Sequence, residues 1–245
     1  MLQQILERLP TANEYEPEPV AIGEDLWRLR HQPSGRWHRF KTGVSEKQRY
    51  FLANEAYWLR RLTSLSSACC HGIYDMDPHR VLITEYLDGL TVAALIREQG
   101  AGFAGHEKVI LQLYEALKAC HQLGVVHGDI KPNNLIFNGQ SLFLIDFANA
   151  DRERNQISER PFRGYSPSYS LPCLQRGVGE VSPLMDWFAY LIVVRLILGG
   201  SMPKFDWQAS DTASSMLVTW LAGSGLPAND RLFLESVAYQ LDAYC

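Results

Sequence analysis

The alternation of apolar and polar positions divides the chain into a strand-rich first third and a helix-rich remainder. Asp25-Leu26-Trp27-Arg28-Leu29-Arg30-His31 alternates with period two. It turns at Pro33-Ser34-Gly35 and returns as Arg36 to Lys41, the pattern of adjoining antiparallel strands. From Ser45 to Leu62 the spacing becomes helical, with Tyr50, Phe51, Ala53, Trp58, Leu59 and Leu62 behind a Ser45 N-cap. Gly72 to Tyr74 and Val81 to Leu87 read as further strands. Thr91 caps a helix through Gln99, and Gly100 to Gly105 is a joint. A long amphipathic helix (Val109, Leu113, Ala116, Leu117, Cys120) then runs to Leu123 and is closed by Gly124. Leu135 to Phe137 and Ser141 to Ile145 flank Asn138-Gly139 as a β-hairpin. Asp186 heads a strongly apolar helix to Leu198, stopped by Gly199-Gly200, and helices at about 207–222 and 228–243 finish the chain. Ahead of the strands, residues 2–9 form one or two helical turns stopped by Pro10. Thr11 to Pro19 reads as a polar, loosely ordered arm.

Composition narrows the class. With 245 residues, 47% hydrophobic and 20% charged, the chain supports a proper core in one or two globular domains. A net charge of −4 argues against a nucleic-acid partner. The 5 cysteines follow no metal spacing and read as reduced thiols. No apolar Sec-type leader follows Met1, and the apolar run from Leu191 to Gly200 is short and interrupted by Arg195. No membrane association and a cytoplasmic location, or delivery into a host cell without a Sec signal, are the expectations.

The chemistry concentrates in His127-Gly128-Asp129-Ile130-Lys131-Pro132-Asn133-Asn134 and, across the hairpin, in Asp146-Phe147-Ala148. The hairpin brings Asp129, Lys131, Asn134 and Asp146 to one end of its two strands. Two carboxylates, an amide and an ammonium there suit a nucleotide phosphate held through Mg²⁺, a cation that takes hard oxygen ligands.

His-x-Asp-x-Lys-Pro-x-Asn followed by Asp-Phe resembles the catalytic and metal loops of the protein kinase family. The resemblance covers roughly residues 20–200. It implies an α+β, two-lobe protein-kinase-like fold with a small antiparallel sheet N-lobe and a truncated helical C-lobe. The divisions are an arm at 1–19, an N-lobe at 20–88 and a C-lobe at 89–245. By the resemblance, Asp129 orients the substrate hydroxyl, Lys131 neutralises charge on the transferring phosphoryl group, and Asn134 and Asp146 are the metal ligands. Lys41 would clamp phosphate and Glu55 would pair with it, Glu46 being the rival. Backbone groups of Glu85 and Leu87 would meet adenine behind Thr84, and Ile136 would line the nucleotide site. His127 would be a core residue packed on Phe147. Asp186 would either anchor the catalytic loop or merely cap its helix.

The departures from the family pattern are specific. No Gly-rich loop precedes Lys41, and Arg39 stands where kinases usually hold an alanine against adenine. Gly128 replaces an arginine that receives a phosphorylated activation loop, and Ala148 replaces the usual glycine. Ser166-Pro167 resembles the end of the activation segment. The function implied is ATP- and Mg²⁺-dependent transfer of the γ-phosphate to a serine or threonine of a protein substrate, with room for an activating protein partner. A small-molecule phosphotransferase of the aminoglycoside or choline type, or a pseudokinase scaffold, are the rivals.

Overall fold

A computed structural model describes residues 5–63, 65, 67–203 and 226–244, without the side chains of 238 and 241–244. The chain separates into two compact units, residues 1–88 and 89–245. The helix expected at about 207–222 lies outside the described residues.

The first unit is built on a five-stranded antiparallel sheet: β1 (Val20–Gly23), β2 (Leu26–His31), β3 (Arg36–Gly43), β4 (Cys70–Met76) and β5 (His79–Glu85). Their spatial order is β1-β2-β3-β5-β4. Central β3 pairs with β2 and β5, so its backbone is held on both sides. Its period of two decides the rest. His38, Phe40 and Thr42 are buried, while Arg39 and Lys41 between them reach toward the helix Glu46–Leu59. That helix begins where Ser45 was expected to cap it. Gln48 N donates to Ser45 Oγ at 3.2 Å and Ser45 N donates to Gln48 Oε1 at 3.1 Å, a reciprocal capping box. It stops at Leu59, one turn before the expected Leu62, and seats Leu52 and Ala56 on Leu82.

The other face of the sheet takes up the helical turn expected before Pro10 and corrects the reading of Thr11 to Pro19 as a loosely ordered arm. Ile5, Leu6, Leu9 and Tyr15 are buried against Leu29, Phe40, Met76, Val81 and Ile83. Gln32 N donates to Glu14 O at 2.8 Å and Glu16 N donates to Arg30 O at 3.0 Å, which fastens the arm beside β2. The physical reason lies in Phe40, which is fully buried and would be left wet without that cover.

Three imidazoles from β2, β3 and β4 stack under the arm. His38 is 4.7 Å from His31 and 3.9 Å from His71 between ring centroids, both pairs nearly parallel. His38 Nδ1 pairs with Tyr15 Oη at 2.9 Å, His31 Nε2 lies 3.3 Å from Glu14, and Glu85 is the register partner of His38. Burial first, then the neighbouring His71, His31 and Arg36, push the His38 pKa down to about 4. A lowered imidazole pKa means that the folded state holds the proton less tightly than the unfolded chain. This stability is therefore complete above about 6.5 and is lost as pH falls toward about 4. Thermal unfolding should show a drop on the order of 5 °C between pH 7 and pH 5. The slope should flatten in His38→Gln, and a wild-type midpoint that stays level over that range would refute the assignment.

The second unit is helical around the largely buried helix Pro183–Ile197, apolar except for Asp186 and Arg195. The helix His106–Gln122 and the helix Ala228–Tyr244 pack on it through Tyr114, Trp187 and Phe233. Tyr114 Oη donates to Asp230 Oδ1 at 2.8 Å. Strands β6 (Leu90–Thr91), β8 (Leu135–Phe137) and β9 (Leu142–Leu144) form one small sheet, and β7 (Val125–Val126) pairs with β10 (Asp151–Arg152). Thr91 caps the helix Val92–Gln99 by accepting from Ala94 N at 3.1 Å. No described helix is long and apolar enough to cross a membrane.

Candidate active site

The β7–β8 connection carries the expected residues into one hydrogen-bonded cluster. Asp129 is almost wholly buried; its Oδ2 lies 2.7 Å from Lys131 Nζ and accepts from Asn134 Nδ2 at 3.1 Å. Asn134 Nδ2 also donates to the Asp129 carbonyl at 2.9 Å, which turns the amide oxygen of Asn134 away from Asp129. Ile145 N donates to Asn134 O at 3.0 Å, so the Asn134 turn and the chain entering Asp146 are joined by backbone. Asp146 sits in the left-handed region, φ 66° and ψ 61°, which an aspartate tolerates better than most residues. Ala148 follows within the 3₁₀ turn Phe147–Asn149, where no positive φ is asked of it. The outward amide oxygen of Asn134 and the Asp146 carboxylate are hard oxygen donors of the kind Mg²⁺ takes, so the residues present fit that cation. Ile136 is half-buried in β8, between buried Leu135 and Phe137.

His127 packs against the metal-loop phenylalanine. Its ring centroid is 4.6 Å from that of buried Phe147. Its Nε2 pairs with Ile145 O at 3.1 Å and its Nδ1 accepts from Asp129 N at 3.3 Å. Both ring nitrogens are thus committed to fixing the loop.

Asp186 anchors that loop from below. The helix cap is Ser182, accepting from Leu184 N at 3.3 Å, so Asp186 is released from the capping role. Its two oxygens accept from His127 N and Gly128 N, each at 2.8 Å, and Oδ2 also meets His121 Nε2 at 3.0 Å. Gly128 has φ +76°, and a Cβ there would come within 2.8 Å of Asn149 O. A side chain at 128 is therefore excluded by the backbone as well as missing from the sequence.

One member of the cluster carries no signal in the sequence: by its pattern Ser166 belongs to the closing turn of the activation segment. Its Oγ donates to Asp129 Oδ1 at 2.8 Å and lies 3.0 Å from Lys131 Nζ, and the segment continues to the helix Pro172–Arg176. Nothing in the local pattern marks a serine for a partner 37 residues earlier. Ser166→Ala should lower kcat on the order of tenfold, ~1.4 kcal/mol in barrier, with the nucleotide KM little changed, and Ser166→Thr should retain activity. Steady-state kinetics of the pair checks this, and an unchanged kcat in the alanine variant would count against it.

In the first unit, Lys41 Nζ lies 2.9 Å from Glu55 Oε2, and Glu55 is completely buried. Glu46, the rival, is exposed in the first turn of its helix. Glu85 ends β5, with its N–H donating to Cys69 O at 2.8 Å; Leu87 follows two residues later and is half-buried. Thr84 is buried beside them. Between β1 and β2 there is only a tight turn, with Asp25 at φ +51°, in place of a glycine-rich loop.

The strand sheet of the first unit carries the Lys41–Glu55 pair, and the second unit carries the Asp129 cluster with its neighbouring Asp146. The protein kinase domain family matches residues 39–222, three quarters of the chain, and the chain belongs to the protein kinase family. That match starts within β3, so the glycine-poor β1–β2 turn lies outside it. The chain is 33% identical to serine/threonine-protein kinase Pkn1 of Myxococcus xanthus over 55% of its own length and 20% of that protein. To serine/threonine-protein kinase chk-1 of Caenorhabditis briggsae it is 31% identical, over 60% of this chain and 30% of the other. To mitogen-activated protein kinase kinase 9 of Arabidopsis thaliana it is 32% identical, over 49% and 39% respectively. These alignments span from about a fifth to two-fifths of the length of the relatives.

Proposed function

We propose that this domain transfers the γ-phosphate of ATP to a serine or threonine hydroxyl of a protein. The observation that carries the reading is the Ser166 hydroxyl held between the Asp129 carboxylate and the Lys131 ammonium, at 2.8 and 3.0 Å. A site that already seats one aliphatic hydroxyl on a buried carboxylate suits an acceptor of the same chemistry. Asp129 would accept the hydroxyl proton, and Lys131, 2.7 Å away, would offset charge developing on the phosphoryl oxygens. Asn134 and Asp146 would hold Mg²⁺, which neutralises phosphate charge when bound. Lys41, steadied by Glu55, would contact the phosphates. Glu85 and Leu87 would meet the base through their backbones, with Ile136 as an apolar contact. The serine/threonine kinases among its relatives support the choice of acceptor.

A small cationic substrate is the alternative, and the surroundings of Lys131 disfavour it. A cavity of about 440 Å³ opens there, lined by Ala93, Ile96, Pro132, Tyr169 and Leu196 among others, with no carboxylate among the described residues of its wall. Such a wall would leave an ammonium-rich ligand unpaired. Incubation with labelled ATP and Mg²⁺, with Asp146→Ala as the control, tests the proposal on the protein itself, a protein extract and aminoglycosides. Label on aminoglycosides alone would overturn it in favour of the small-molecule reading, and no transfer at all in favour of a scaffold.

A further inference from the structure

Most residues from Asp151 to Arg160 are charged or polar, and four of the charged ones, Arg152, Glu153, Arg154 and Glu159, are exposed. Asp151 and Arg160 instead turn inward and meet. Arg160 Nε lies 2.8 Å from Asp151 Oδ2, and the two side chains are only 8% and 19% exposed. The other carboxylate oxygen, Oδ1, accepts from Arg152 N at 2.7 Å and from Asn155 Nδ2 at 2.6 Å. Asp151 therefore has donors on both oxygens and holds Arg160 as a charge-assisted partner. Its own place is fixed by the β10–β7 ladder, where it pairs with Val126, the residue before His127. Beyond it, Arg154 N donates to Val181 O at 2.8 Å and Ile157 N to Gly179 O at 2.9 Å. Past Arg160 the same segment delivers the Ser166 hydroxyl to Asp129 and Lys131.

We propose that Asp151 and Arg160 are a positioning pair: two fixed charges hold the activation segment on the course that brings Ser166 to Asp129, so no phosphate is needed to order it. The proposal rests on the reading of this domain as a phosphotransferase. A phosphate orders such a segment by pairing with guanidinium groups. Gly128 offers it none, and the backbone there excludes a side chain. Arg160, the guanidinium that the segment itself supplies, already has its anion in Asp151. The pair is also costly to open, because either charge would be left unpaired where little water reaches it. The segment is thus closed in the unmodified chain. Arg160 acts through that segment and touches no reacting atom.

The test is steady-state transfer from MgATP to casein by the full chain. Arg160→Ala and Asp151→Asn should each lower kcat about tenfold while the KM for ATP moves less than about twofold. The double variant should be worse than the poorer single one by no more than about twofold. Coupling to Ser166 is the sharper readout. Ser166→Ala should cost about tenfold in the wild-type chain but less than about twofold beside Arg160→Ala, since the hydroxyl is then no longer brought to Asp129. An arginine that only supports the fold would lower the unfolding midpoint and leave the serine effect intact. Arg160→Met, which keeps the stem and removes the charge, provides the same test if the alanine variant fails to fold. Phosphatase treatment of the wild-type protein should leave kcat unchanged. An inert dephosphorylated protein, an unchanged kcat in a folded Arg160 variant, or a serine effect equal in both backgrounds would overturn the proposal. Asp146→Ala separates the two levels of failure. If it abolishes transfer while the Arg160 variants behave as wild type, only this inference falls. If it transfers like wild type, or if the wild-type chain labels neither casein, a protein extract nor itself, the proposed function falls with it.

Discussion

Asp146→Ala is expected to abolish phosphoryl transfer while leaving the protein folded. The expectation comes from what surrounds the residue. Asp146 ends the hairpin on a left-handed backbone, φ 66°, next to a loop whose Asn134 turns its amide oxygen outward. Its proposed work is done through Mg²⁺ on phosphate, so the loss should appear in catalysis at a thousandfold or more, over ~4 kcal/mol in barrier. Unfolding should move by no more than about 1–2 kcal/mol, the cost of an alanine at positive φ. Asp146→Asn separates the effects, since asparagine accepts the same backbone angles but brings no charge. Both variants should be inactive, and the asparagine variant should unfold close to wild type. Retention of more than about a tenth of the activity, a barrier change below ~1.4 kcal/mol, would show that Asp146 is not a metal ligand.

Asp186→Ala should fail in the opposite manner, through stability first. The carboxylate is entirely buried and accepts from two backbone N–H groups, His127 and Gly128, besides its contact with His121. Removing it orphans two buried donors in the loop that carries Asp129, at about 1–3 kcal/mol each. A loss of about 3–5 kcal/mol is therefore expected, with activity lost because the loop is no longer held. Burial alone would raise the Asp186 pKa. The hydrogen bond and charge of His121, with His127 and the Gly128 N–H, outweigh it and hold the carboxyl below the usual carboxylate range. A lowered folded pKa means that this stability is present above about 3.9 and is lost as pH falls below it. The wild-type protein should thus show an acid-unfolding limb below pH 4 that Asp186→Asn removes. Denaturant unfolding of both variants decides the matter, and an Asp186→Ala protein as stable as wild type would rule out the anchor.

How much of this was legible in the sequence depends on how far apart the partners lie. Lys131 and Asn134 bond Asp129 from two and five residues away, so the order of residues in one short stretch already contained the cluster. The hairpin that brings Asp146 alongside is equally local, marked by Asn138-Gly139 between apolar runs. Lys41 and Glu55 were found because a strand period and a helix period each place one side chain predictably. The looseness expected of Thr11 to Pro19 fails because polar residues dominate that stretch, while Tyr15 shows its purpose only against His38 and Phe40.

The sequence by itself determined the kind of fold and the cluster around Asp129, because helix caps, strand alternation and close-range hydrogen bonds depend on neighbours along the chain. The tertiary structure alone decided which distant groups complete that loop. Ser166 reaches Asp129 across 37 residues, and Asp186 holds the His127 and Gly128 amides across 59 and 58. Arg39 shares Glu55 with Lys41 only because β3 and the helix Glu46–Leu59 are packed face to face. No local propensity encodes such contacts. They follow from the burial of polar groups, each of which must find a partner wherever the packed chain supplies one.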